Sequence, residues 1–285
     1  MQRALLCLAC MLASAVVLPG APGNDTKAVL ARTRQYVADY DRALIAVVAD
    51  EHYVQSSGGL EADDITGDRE RVLDSEFAWI HLPALQETIG VRDVLRVDGQ
   101  AVADGSRLHA LLERPQQDVS QEIRAILAES ARHNIGALER NFNFPTFPLV
   151  YLRRSDDSRT RWRADSNGVA ITLRFDERQQ STVVRTIDGA PTRASGQFSV
   201  DAASGRVLRC DIRLELPPPR RSPGEEYRIR VEFAYDGRID LWVPVLMIEQ
   251  VGRTRGSAPE HVGVVGEATY GNYRRYQTAG RVLPR

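Results

Sequence analysis

Three polar side chains interrupt apolar stretches of the chain and are the first candidates for chemistry. His81 lies in EFAWIHL, Asp93 in VRDVL and Glu249 in VLMIEQV. A carboxyl group in an apolar pocket has a raised pKa and can serve as a general acid or base. Glu249 or Asp93 acting with His81 would therefore suit a hydrolase. The alternative is that all three lie near strand ends, where the faces of a sheet reach water.

The sequence carries none of the common catalytic or cofactor motifs. It has no glycine-rich nucleotide loop, no G-x-S-x-G and no H-E-x-x-H. The histidines are His52, His81, His109, His133 and His261. Their spacing is not that of a metal site. We therefore expect no metal and no cofactor.

The cysteines do not predict a redox site. Cys7 and Cys10 form a C-x-x-C pair, but both fall within an apolar N-terminal stretch. If that stretch is removed, Cys210 is the single cysteine and no internal disulfide can form. Cys210 alternates with Leu208 and Ile212, which predicts a small, buried and unpaired residue rather than a reactive thiol.

The N-terminus has the order of a secretory signal peptide, with Arg3, an apolar run and then small residues. We predict a signal peptide over 1–23, followed by one exported domain over 24–285 in the periplasm or outside the cell. A lipid on Cys10 is the alternative, but the apolar stretch before it is short. The apolar run falls below the roughly 20 residues of a membrane span. No second such run follows, which predicts a processed chain without a transmembrane segment.

The charge argues against nucleic acid as a partner, because a net charge of -1 gives no overall basic field. The basic residues are almost all arginine, and Lys27 is the only lysine. This bias is typical of a GC-rich genome. The alternative is that some arginines are clustered as ligands for phosphate.

Hydrophobic periodicity indicates the elements that position these residues. A helical pattern covers Asp25 to Ala49, and extended patterns follow at about 51–56, 70–82 and 89–102. A helical insertion is predicted at about 104–154, with helices at Ser106–Leu112 and about 118–136. It closes with NFNFPTFPLVYLRR, an apolar loop that should pack beneath another element. From Arg159 onward, alternating residues predict a meander of about eight strands.

One face of this meander is apolar along its whole length, and such a sheet must curl and be covered by helices. The predicted fold is therefore mainly β with α (α+β), a curled antiparallel half-barrel of about eleven strands with helices covering the concave face. In DLWVPVLMIEQVG both faces are apolar, which predicts a strand covered on both sides. Pro244 should lie at a bulge or at a sheet edge.

Two stretches resemble known groups of proteins. GQFSVDAASGRVLRCDIRL resembles paired strands of the LolA/LolB-like carriers of outer-membrane lipoprotein sorting. LWVPVLMIEQV followed by GEATYGNYRRY is similar to the closing strands of a group of uncharacterised secreted bacterial proteins. The likeness to the carriers is one of architecture. It implies a half-barrel that holds a lipid or the acyl chain of a lipoprotein. The helical insertion departs from the simplest form of that fold.

We expect from these patterns an exported, non-enzymatic binding protein that holds an apolar ligand against the concave sheet. The side chains expected to contact the ligand are Phe77, Trp79, Trp162, Ile171, Leu173, Phe175, Val231, Phe233, Val245 and Met247. A hydrolase that uses Glu249 or Asp93, and a structural or interaction protein with a filled core, remain alternatives. Convergence of the three polar residues would favour the enzyme. An open cavity would favour the binder, and a packed interior would favour the structural protein.

Overall fold

The structure, a computed structural model, describes residues 25–57, 69–82, 87–114, 119–136, 143–154, 157–166, 170–178, 182–186, 189–216, 226–255 and 258–276. The predicted signal peptide and residue 118, where the second predicted helix of the insertion begins, lie outside these residues. Among the described residues, no helix combines the length and the apolar character needed to cross a membrane.

The described residues form four α-helices and twelve strands. The helices are α1 (Thr26–Ala43), α2 (Ser106–Leu112), α3 (Ser120–Arg132) and α4 (Val150–Arg154), with a 3₁₀ turn at Phe147–Leu149 before α4. The first strands are β1 (Val47–Ser57), β2 (Arg69–Leu82), β3 (Glu87–Val97) and β4 (Gln100–Ala101). The remaining strands are β5 (Thr160–Ser166), β6 (Ala170–Glu177), β7 (Val184–Arg185), β8 (Pro191–Asp201), β9 (Val207–Glu215), β10 (Glu226–Asp236), β11 (Leu241–Arg255) and β12 (Ala258–Arg275).

All strands belong to one open antiparallel sheet in the order β4-β3-β2-β1-β12-β11-β10-β9-β8-β6-β5, and β7 pairs with β8. The predicted α+β half-barrel is therefore confirmed. The structure has one strand more than predicted, because the predicted segment 89–102 is divided into β3 and the two-residue β4. Because β1 pairs with β12, the first and last strands of the chain lie side by side in the sheet.

The inner face of the sheet, defined here as the face that α1 covers, carries the main core. Along β6 and β10 the buried residues alternate with outward polar residues, as the sequence predicts. α1 buries Val29, Val37 and Tyr40 against this face. The ring of Tyr40 meets that of Phe233 edge to face at 6.2 Å.

A second core lies on the outer face of β2 and β3. Ala78 and Ile80 alternate with the inward Phe77 and Trp79, and they pack with the apolar residues of α2 and α3. These two helices therefore cover the outer face, whereas their apolar stripes suggested the inner one. The stripe itself is confirmed, since Ile123 and Ile126 are buried.

Two local features shift elements from their predicted positions. The first helix ends at Ala43 rather than Ala49, because Ala46 has a φ of 59° and starts the turn into β1. Pro244 lies at a bulge, as predicted: Glu232 pairs with Leu246 and Phe233 with Pro244. The bulge leaves Val245 without a partner on β10. The side chain of Val245 therefore does not belong to the row of β11 side chains that face the inner core.

Candidate functional site

The predicted ligand-contacting residues lie in a filled core. Their exposed fractions are Phe77 0%, Trp79 1%, Ile171 1%, Leu173 0%, Phe175 3%, Val231 0%, Phe233 7% and Met247 0%. Trp162, on the edge strand β5, and Val245, at the bulge, are half-buried. A side chain with no accessible surface adjoins no space into which a water molecule fits. No open cavity therefore adjoins the fully buried residues of this set in this conformation. Their contact with a ligand stays a prediction.

Aromatic rings fill the β5–β6–β8 end of the inner face. Phe175 stacks on Tyr151 with ring centroids 4.8 Å apart, and on Phe198 at 5.8 Å. Trp162 lies 5.4 Å from Phe175 on the other side. Because Tyr151 belongs to α4, the apolar segment before and within α4 packs onto the sheet, as the composition of NFNFPTFPLVYLRR predicts.

Glu249 is a buried acid on the inner face, with an exposed fraction of 0%. Its carboxylate accepts hydrogen bonds from the hydroxyls of Tyr53, on β1, and Tyr227, on β10, the latter at 2.8 Å. β12 runs between β1 and β11, and there Gly266 lies directly opposite Glu249. A Cβ atom at Gly266 would lie 2.6 Å from the Tyr53 hydroxyl and 2.8 Å from Cγ of Glu249. The missing side chain is what lets these two groups meet.

The polar network continues from Tyr53 to a buried ion pair. Arg92 donates to both carboxylate oxygens of Glu51, at 2.5 and 2.7 Å. It also donates to the side-chain and backbone oxygens of Asn143, whose amide donates to the Tyr53 hydroxyl at 3.3 Å. Burial lowers the pKa of Arg92, but the charge of Glu51 outweighs it, so the pKa is raised overall. The partners satisfy one another, which is the condition for a stable buried charge pair.

Asp93 lies on the opposite face of the sheet from Glu249. Its side chain is buried against α2 and accepts from Arg107 at 2.5 Å. Burial raises the pKa of Asp93, although the hydrogen bond and charge of Arg107 act to lower it. Arg107 also pairs with Glu129 of α3. Asp93 therefore joins the two helices to the sheet.

His81 occupies a third environment, in the wall of an open pocket beside α1. Glu249, Asp93 and His81 thus lie on different faces or at different depths of the sheet. The structure does not bring them together. An acid–base mechanism that uses His81 with either carboxylate therefore has no common site.

We call the pocket that contains His81 the end pocket. It has a volume of about 700 Å³, within the range of small-molecule sites. It is lined by Ala38, Asp41, Arg42, Ile45, His81, Thr88, Ile89, Phe144, Phe147, Val150, Arg153 and Arg154. Its walls are the end of α1, the turn side of β2 and β3, and the segment leading into α4.

The floor of the end pocket is apolar and continuous with the inner-face core. Phe147 is 7% exposed and packs edge to face on Tyr151 and on Phe144. The indole nitrogen of Trp79 donates to the Thr146 hydroxyl at 3.0 Å, which fixes the segment over the sheet. Ile45 is 37% exposed at the mouth, one of the few large apolar side chains with that exposure. Apolar surface is thus offered to a ligand here rather than inside the sheet.

Cationic groups surround this apolar floor. Arg153 pairs with Asp41 through two hydrogen bonds of 2.5 and 2.6 Å, which joins α4 to α1. Arg42 pairs with Asp39 on the exposed side of α1. The lining contains three arginines, Arg42, Arg153 and Arg154, and one carboxylate, that of Asp41. The lining itself carries more positive than negative charge, although Arg42 and Arg153 each already have a carboxylate partner, Asp39 and Asp41.

Sequence reasoning identified His81 but missed the rest of the end pocket. Ile45 was assigned to the first helix, and Arg153 and Arg154 lay at the end of an insertion whose docking position no pattern indicates. The available signal was the apolar loop containing Phe144 and Phe147. Its composition predicted packing against another element, but not where that element would lie.

No group of three or more His, Cys, Asp or Glu side chains in the described part of the chain could hold a metal ion. Comparison with known proteins adds no relative: no family model, curated protein or solved structure matches the chain.

Proposed function

We propose that this protein is an exported, non-enzymatic binding protein whose end pocket takes up an amphipathic ligand with an apolar chain and an anionic head. The observation that carries the proposal is the joint presence, in one open pocket of about 700 Å³, of an apolar floor and three arginines. Export rests on the signal-peptide pattern of residues 1–23.

The apolar part of the ligand would lie on Ile89, Phe144 and Val150, all of them half-buried and able to lose water on binding. The anionic head would lie at the mouth near Arg42 and Arg154. A fatty acid, or a lipid with a charged head group, has this chemistry. The resemblance to lipoprotein carriers implies a ligand of the same class, but the proposal rests on the pocket.

The experiment is displacement of a fluorescent fatty acid from the purified protein. Ile45→Asp places a charge against the apolar chain at a position where the side chain is already 37% exposed, so the fold should survive. We expect about tenfold weaker binding or more, since desolvating a carboxylate without a partner costs several kcal/mol. Val102→Asp is the matched control, because Val102 is 45% exposed and lies outside the end pocket.

A neutral fatty alcohol tests the head group. It should bind more weakly than the acid of the same length, and the difference should shrink at high salt. If the wild-type protein binds no probe, or if Val102→Asp weakens binding as much as Ile45→Asp, the proposal fails.

A structural or interaction protein is the second candidate, and the filled inner face favours it. Leu173, Val231 and Met247 all have exposed fractions of 0%. A protein that only needs a stable scaffold would have such a core. Absence of any probe binding by the wild-type protein would support this candidate.

A further inference from the structure

A second solvent-filled groove lies on the outer face, at the β5 end of the sheet and far from α2 and α3. Its volume is about 460 Å³. It is lined by Arg161, Arg163, Arg174, Phe175, Asp176, Ser195, Gly196, Gln197, Asp211, Arg213 and Arg228. We call it the arginine groove. It shares no residue with the end pocket.

Two arginines stand directly opposite each other in this groove. Arg163 on β5 pairs in register with Arg174 on β6, and both side chains are exposed. Directly opposed residues in an antiparallel pair have Cβ atoms about 5 Å apart, and like charges at that distance destabilise the sheet. The arrangement brings two guanidinium groups within reach of one bound anion.

The carboxylates of the outer face do not neutralise all of these arginines. Arg174 pairs with Asp165, while Arg213 and Arg228 share the single carboxylate of Glu226. Within the described ranges, no carboxylate pairs with Arg161 or Arg163. Positive charge is therefore in excess at both ends of the groove, at β5 and at β9–β10.

The geometry favours a tetrahedral anion over a carboxylate. One guanidinium fork can occupy both oxygens of a carboxylate, whereas a phosphate or sulfate has oxygens for two forks at once. Arg163 and Arg174 offer two adjacent guanidinium groups, of which Arg174 already donates to Asp165 through Nη1. Three strand spacings separate β5 from β9 in the sheet, which places the second cationic group about 14 Å away.

We propose that the arginine groove binds a ligand that carries two or more phosphate or sulfate groups. One group binds between Arg163 and Arg174, and another binds near Arg213 and Arg228. Ser195 and Gln197 line the groove between these two sites, beside Asp176 and Asp211, whose carboxylates pair with Arg193 and Arg230. An uncharged spacer is therefore expected between the two anionic groups. The source of the anion is either a soluble phosphorylated compound or the head groups of anionic lipid.

The test is calorimetric titration of the wild-type protein with inositol hexakisphosphate, with pyrophosphate as the short probe. Arg163→Gln removes one of the opposed guanidinium groups, and we expect about tenfold weaker binding of the hexakisphosphate. The same substitution should stabilise the free protein slightly, because it removes a like-charge pair. The matched control is Arg209→Gln, since Arg209 is on the same face, pairs with Glu232 and does not line the groove.

Equal loss from Arg209→Gln would show non-specific attraction and would overturn the proposal, as would an absence of wild-type binding. Tighter binding of a glutamate-rich peptide than of the hexakisphosphate would overturn the assignment to phosphate or sulfate. If the protein sediments with phosphatidylglycerol vesicles but not with phosphatidylcholine vesicles, the source of the anion is a lipid head group. If it binds the hexakisphosphate in the calorimeter but sediments with neither kind of vesicle, the ligand is a soluble compound. Arg163→Gln should leave fatty-acid binding in the end pocket unchanged, so the two proposals fail separately.

Discussion

Tyr53 and Glu249, which are 196 residues apart in the chain, hydrogen-bond across a strand that lies between their own. The intervening strand is β12, and Gly266 is the position over which the two side chains meet. Contacts of this kind connect segments that are far apart in the chain but lie close together in the sheet. They also place a fully buried carboxylate within the inner-face core, where every hydrogen bond it accepts contributes to stability.

Gly266→Ala should destabilise the protein by about 1–3 kcal/mol, because the new methyl group overlaps the Tyr53 ring and the Glu249 side chain. Gly271→Ala is the control on the same strand, since nothing lies within 4 Å of its Cβ position. It should be neutral or slightly stabilising. Urea unfolding of the two variants checks this. Equal effects would show that the space above Gly266 is not required.

Glu249→Gln and Tyr227→Phe should each lower the free energy of unfolding by about 1–3 kcal/mol, because the first replaces one of two acceptor oxygens by a donor and the second removes one of the two donors. The double variant should lose less than the sum, since both changes break the same 2.8 Å hydrogen bond. A double-mutant cycle by chemical denaturation measures the coupling. Strict additivity would contradict the contact.

The pH dependence of stability should separate Asp93 from Asp104. Burial raises the pKa of Asp93 in the folded protein. Its contribution is therefore present below the unfolded pKa, about 4, and lost as the pH rises through the folded pKa. Hydrogen bonds from Ser106 lower the pKa of Asp104, so its contribution is present above about pH 4 and lost as the pH falls through the folded pKa.

Relative to wild type, Asp93→Asn should therefore gain stability as the pH rises above about 4, whereas the stability that Asp104→Asn loses above about pH 4 should be recovered as the pH falls below that value. Unfolding free energies measured from about pH 2 to 7 give both slopes. Slopes of the same sign would contradict either the burial of Asp93 or the hydrogen bonds that Asp104 accepts from Ser106.

Cys210 should resist thiol reagents in the native state and react once after unfolding. Its exposed fraction is 0%, and burial raises the pKa of its thiol, which disfavours the reactive thiolate. The measurement uses a chain in which Cys7 and Cys10 are replaced by serine, so that only this thiol can react. Fast labelling of the native protein would show that this part of the inner face opens.

The alternation of residues predicted most of the sheet, because side chains in a strand point to opposite faces with a period of two. It failed where the ladder is irregular. Leu208 was expected beside Cys210, but a register shift between β8 and β9 turns Val207 inward instead. The same applies to Val245 at the Pro244 bulge. Such irregularities depend on pairing between strands, which no single strand's pattern records.

The sequence could not predict which face each helix covers. The apolar stripes of α1 and α3 are alike, yet one helix lies on the inner face and the other on the outer face of β3. The second apolar surface, formed by Ala78, Ile80 and Val91, is visible only once the faces of β2 and β3 are known. The end pocket, built from three separate segments, depends on that docking as well.

The most direct test of the account locates the ligand. A fatty acid with a diazirine at the end of its chain is photolysed on the native protein, and the labelled peptides are identified by mass spectrometry. If the end pocket is the binding site, the label should fall in the segments that line it, at 38–45, 81, 88–89 and 144–154. Competition by unlabelled fatty acid should remove it. Labelling concentrated at 171–175 or 231–247, within the filled inner face, would contradict the account, as would the absence of any competed label.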